Sequence, residues 1–109
     1  MGIEWKHDAE HTVAASGDED IAIDRDVNLL NFTLSKVSGG NVTALTIARS
    51  LDGGATWGPT RTVTLAAALS SAGDSVDVDL TDEMPSKVRF GFTVSASTVV
   101  KIVGKGAWR

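Results

Sequence analysis

Ser75-Val76-Asp77-Val78-Asp79-Leu80 decides the fold class. Apolar and acidic side chains alternate with a period of two, so Val76, Val78 and Leu80 share one face and Asp77 and Asp79 the other. A strand separates them cleanly, whereas a helix would scatter them around its axis. One dry and one wet face is the signature of an antiparallel sheet buried on one side. Upstream, Val27 to Val37 sets Leu30, Phe32 and Leu34 against Asn31, Thr33 and Ser35, and Asp20 to Asp24 turns Ile21 and Ile23 inward. Asn41 to Ser50 follows the turn Ser38-Gly39-Gly40 and carries Leu45 and Ile47. Thr60 to Leu65 is a further candidate, and Lys87 to Ser95 with Thr98 to Gly104 reads as a closing hairpin. At the start of the chain, Ile3 to His7 and His11 to Ala15 read as two short strands flanking a loop.

These nine candidates recur about every 8–12 residues between Gly, Asp, Asn and Ser, the spacing of a sandwich or small barrel. No window keeps helical periodicity for three turns, and Leu65-Ala66-Ala67-Ala68-Leu69 supports one turn at most. The expectation is an all-β chain: a single antiparallel β-sandwich, jelly-roll-like, of eight to nine short strands over residues 1–109. Residues 1–20 are a candidate extended acidic arm.

The chain has 109 residues, enough for one core, and no cysteine, which excludes disulfides and thiolate metal sites. No apolar run approaches the ~20 residues that span a bilayer. Met1-Gly2-Ile3-Glu4-Trp5 lacks the basic and apolar regions of a secretion signal, and Lys6 stands where a myristoylation signal needs Ser or Thr. The expectation is therefore a protein made and kept in a cytoplasm, without a membrane partner. Net charge is −4, unevenly spread. Residues 1–31 hold eight acidic against two basic side chains, and residues 84–109 hold Lys87, Arg89, Lys101, Lys105 and Arg109 with no acid. Five bases without interleaved aromatics do not make the cationic footprint of a nucleic-acid binder. An acidic front and a basic tail pair within one subunit or between copies.

Ser50-Leu51-Asp52-Gly53-Gly54-Ala55-Thr56-Trp57 is the one sharp motif. Asp52 is placed to accept turn amides, Gly53 and Gly54 permit positive φ, Thr56 restarts the extended chain, and Trp57 offers an apolar cover. Gly58-Pro59 then breaks the ladder. The stretch matches Ser-x-Asp-x-Gly-x-Thr-Trp at every specified position and resembles the Asp box, or bacterial neuraminidase repeat. That resemblance implies a folded hairpin tip in which Asp52 bonds turn amides and Trp57 is buried beneath it. It implies no sialidase chemistry. One copy in 109 residues cannot build a propeller, and the chain has no tyrosine for a nucleophile.

Other constellations are weaker. His7 and His11 are spaced as a zinc pair would be on a helix, but their segment is too short for one and reads as a surface loop, so no metal is assigned. Gly17-Asp18-Glu19-Asp20 lacks the spaced loop of a calcium site, and Asp77 and Asp79 face water rather than a cleft. No phosphate loop, dinucleotide fingerprint or nucleophile elbow is present, so neither catalytic residue nor cofactor is assigned. Of the six aromatics, Phe32, Phe90 and Phe92 fall on inward positions and Trp57 belongs to the turn. Trp5 and Trp108 lie near the chain ends, either closing the sandwich or anchoring a partner. With Lys101, Lys105 and Arg109 they form the candidate interface.

The whole chain resembles the small β-rich virion proteins of tailed bacteriophages: short strands rich in Ala, Ser, Thr, Gly and Val, no cysteine, and a basic end, Val103-Gly104-Lys105-Gly106-Ala107-Trp108-Arg109. The resemblance implies a non-enzymatic capsid decoration (cement) protein. It would bind the major capsid protein or other virion subunits, assemble in the host cytoplasm, and be homo-oligomeric, with a trimer expected. A tail or head–tail component is the near alternative. A carbohydrate-binding module is the alternative from another class, and it requires an exposed aromatic platform.

Overall fold

A computed structural model of the chain describes residues 4–81 and 85–108. Eight strands follow one another: β1 (Glu4–Val13), β2 (Gly17–Ala22), β3 (Leu29–Gly39), β4 (Val42–Ser50), β5 (Arg61–Val63), β6 (Ser75–Thr81), β7 (Lys87–Val94) and β8 (Thr98–Ala107). They form two four-stranded antiparallel sheets, β1-β8-β3-β6 and β2-β7-β4-β5. Among the described residues there is no helix. The chain changes sheet at every step except β4 to β5, which gives the strand order of a jelly roll.

The alternation that names the strands also builds the core. Leu30, Phe32 and Leu34 from β3, with Val100 and Ile102 from its neighbour β8, face Leu45 and Ile47 from β4 and Val88, Phe90 and Phe92 from β7 on the other sheet, all buried. The inward series of β3 ends in Lys36, which is 7% exposed and donates through Nζ to the Ser70 carbonyl at 2.7 Å. Leu69 joins Val42 through two backbone hydrogen bonds of 2.9 and 3.1 Å, which tie the alanine-rich stretch down without a helical turn.

Two expectations are corrected at the N-terminus. The stretches read as two strands around a loop are one ten-residue strand, β1, paired with β8 from Glu4↔Ala107 to Val13↔Thr98. Residues 4–22 are therefore not a free arm, because β1 and β2 are edge strands within the two sheets. The pairing also explains the charge split. The acidic first two strands lie against the basic last two, β1 on β8 and β2 on β7, so opposite charges meet inside the subunit. Asp8 lies 3.6 Å from Lys101, and Asp20 2.8 Å from Arg89.

Candidate functional site

The corner after β4 is built from short polar side chains. Ser50, only 1% exposed, donates its hydroxyl to Asp52 Oδ1 at 2.7 Å and accepts the Gly54 N–H at 2.9 Å. Asp52 also accepts the Thr56 N–H at 2.9 Å on Oδ1 and the Thr56 hydroxyl at 2.6 Å on Oδ2. Gly53 and Gly54 have φ of 74° and 98°, a backbone that L side chains rarely adopt. The bonds from the Thr56 hydroxyl and amide and the Ser50 hydroxyl stabilise the charged carboxylate and pull the Asp52 pKa from its ordinary value down to about 2. The corner spans residues 51–60, wider than a tight hairpin, and the short β5 resumes at Arg61.

A distant residue latches this corner. Ser86, just before β7, accepts the Gly53 N–H at 2.7 Å, while its own N–H and hydroxyl both donate to the Ser50 carbonyl, at 2.8 and 3.1 Å. Trp57 is half-buried rather than sunk beneath the turn. The Arg89 guanidinium lies over its ring, 4.0 Å from the centroid, a cation–π contact. Arg89 in turn forks onto Asp20 at 2.8 and 3.1 Å, with Asp18 3.9 Å away. The guanidinium hydrogen bond holds the Asp20 pKa below the carboxylate range and raises that of Arg89.

Of the candidate interface residues, Trp5 is 5% exposed. It packs edge-on against Phe32 at 5.8 Å and stacks on His7, so it is a core residue, not an anchor. Lys101 and Lys105 are exposed at alternate positions of β8 and so share the outer face of their sheet. Trp108 is 43% exposed, while Arg109 lies outside the described residues. A shallow groove runs along the same sheet over Asn31, Asp79, Thr81, Lys105 and Ala107. Trp5 is buried and one face of Trp57 is taken by Arg89, which leaves Trp108 as the open tryptophan.

Asp77 and Asp79 each have a cross-strand partner, the Thr33 hydroxyl at 2.6 Å and the Asn31 amide at 2.7 Å, and they line no enclosed cleft. Asp18 and Asp20 are occupied by Arg89. No group of three or more metal-ligating side chains occurs among the described residues. His7 and His11 lie on β1 with their Nε2 atoms 3.2 Å apart, in a strand rather than a loop. Burial first, then the neighbouring His11, lowers the His7 pKa against the opposing pull of Asp8. The roles of Ser86 and Arg89 have no local signal in the sequence.

Asp52 gives a pH prediction. Its folded-state pKa lies below its unfolded value, so its contribution is complete above about pH 4 and disappears as pH falls through about 2. Wild type should unfold at higher denaturant than Asp52→Ala at neutral pH, with the gap closing across that acid window. A gap that persists unchanged to the acid end would show that the carboxylate charge does not hold the corner.

The sequence matches no protein-family model and no curated protein. Solved structures share the fold at low identity. A pilus protein of Bacillus endospore appendages, described as forming disulfide-linked pili, is 17% identical with a TM-score of 0.51, over 99% of this chain and 89% of that one. The SPBc2 prophage-derived protein YomS is 13% identical with a TM-score of 0.53, over 96% and 95%. A chain of the infectious bursal disease virus Gx strain is 15% identical with a TM-score of 0.51, and this chain spans only 32% of its length.

Proposed function

We propose that this chain is a non-enzymatic structural protein of a tailed-bacteriophage virion, a homo-oligomeric decoration protein that docks on the assembled capsid lattice, with a tail or head–tail position as the variant of the same reading. The observation that carries it is an end-to-end correspondence of one jelly roll, over 96% of this chain and 95% of the other, with a prophage-derived protein of similar extent. The same fold in a viral chain and in a pilus protein supports a subunit of an assembly. In this reading the Ser50–Trp57 corner is an Asp-box-type turn with an architectural role, and Asp52 and Trp57 hold the hairpin rather than a ligand.

The docking face is the outer surface of β1-β8-β3-β6, where Lys101 and Lys105 stand in line and Trp108 follows the end of β8. A subunit that binds only the assembled lattice stabilises it by RT ln(1 + [L]/Kd) at each site, summed over many sites. A trimer fits a lattice with local threefold symmetry.

The test is immunogold electron microscopy of particles from the lysogen or infected culture that carries this gene, together with co-sedimentation of purified chain with those particles. Regular label on heads is expected, and an exposed tryptophan at an interface centre predicts that Trp108→Ala weakens co-sedimentation by about tenfold or more. Label on tails would select the head–tail variant. Particles that carry no label, with chain that stays in the supernatant, would overturn the proposal.

A further inference from the structure

His7 and His11 are the chain's two histidines, and the fold brings them together in a way their spacing does not suggest. Both lie on the edge strand β1, on the face shared by Trp5, Ala9 and Val13. Four residues along a strand separate Cα atoms by roughly 13 Å, so two side chains that meet must both lean over the residue between them. That residue is Ala9, whose methyl leaves room above it. The ring centroids approach to 5.4 Å with planes tilted by 32°. On the far side, the Trp5 ring stacks on His7 at 6.2 Å and 9°, which fixes the imidazole from behind. Both histidines are half-buried and open to solvent.

The Nε2 atoms sit 3.2 Å apart. Metal–nitrogen bonds of about 2.05 Å to both would subtend an angle of about 100° at an ion, between the square-planar and tetrahedral values. Neither ring would have to move far to close that angle. We propose that His7 and His11 form a two-imidazole chelate for a late first-row divalent cation such as zinc, nickel or copper. Both Nε2 atoms bind it, and water fills the remaining positions. No third histidine or carboxylate completes the set among the described residues, so the site stays open on its solvent side. Without an ion, the same two nitrogens share a single N–H···N hydrogen bond.

The experiment uses untagged full-length protein, so that no added histidines compete. Zinc chloride is titrated calorimetrically, and the imidazole nitrogens are followed by long-range 1H–15N correlation. One ion per chain is expected, with both Nε2 resonances shifting together and the thermal midpoint rising to saturation. His7→Gln and His11→Gln should each weaken binding about tenfold or more, because one imidazole then holds the ion alone. The nitrogen spectra need no variant, so the outcome stands even if His7→Gln loses its packing on Trp5. Unshifted Nε2 resonances up to about 1 mM zinc, or equal affinity in the double variant, would overturn the site.

Discussion

Phe32→Ala is expected to cost about 4 kcal/mol, a large part of the roughly 5–15 kcal/mol that holds a domain of this size. Phe32 is fully buried at the middle of β3, where one ring joins both sheets. It meets Phe90 on the opposite sheet at 5.1 Å and 76°, and Trp5 on its own sheet at 5.8 Å and 65°. Both are edge-to-face pairs, each worth about 0.5–1.5 kcal/mol beyond area burial. Alanine removes both and leaves a cavity between walls of paired strands that cannot collapse freely. Urea denaturation should show a lower midpoint with little change in slope. A loss under about 1 kcal/mol would mean that the sheets are not joined through this ring.

The strands legible in the sequence are those whose alternation comes from side-chain chemistry. Ser75 to Leu80 and Val27 to Val37 announce their faces through Val, Leu and Phe, and the structure places them within two residues of the expected limits. The centre of β1 reads Asp8-Ala9-Glu10, with no apolar residue larger than alanine, and so resembles a loop. That strand exists because β8 offers it ten consecutive partners, a tertiary cause that outweighs local propensity. The charge split was visible, but its meaning depended on topology: β1 beside β8 and β2 beside β7 turn an acidic front and a basic tail into pairs within one subunit.

The corner divides along the same line. Ser50, Asp52 and Thr56 act within six residues of one another, so their hydrogen bonds could be anticipated from an eight-residue motif. Ser86 and Arg89 reach the corner from more than thirty residues away, and no pattern in the chain marks them. Trp5 and Trp108 look alike in the sequence, each close to a chain end, yet one is buried and the other exposed. The difference lies in what faces them, and for Trp5 that is a glycine.

Gly104→Val should therefore be nearly as damaging as the loss of Phe32, at about 3 kcal/mol, by filling space instead of emptying it. A Cβ at Gly104 would stand 2.7 and 2.9 Å from Trp5 Cζ3 and Cη2, and 2.9 Å from Phe32 Cε1. Phe32 cannot yield, because it is pinned between the sheets, and Trp5 can yield only by giving up its packing on Phe32 and His7. The displaced group should be Trp5, since it rides on the edge strand and has one neighbouring strand to lose. In a background with Trp57→Phe and Trp108→Phe, the remaining tryptophan emission should shift to the red as the ring meets water. The causal link is checked by coupling: Trp5→Leu relieves the clash, so the double variant should lose clearly less than the sum of the two single losses. Additive losses and an unshifted emission would show that Gly104 is not the notch that seats Trp5, and that its burial has another cause.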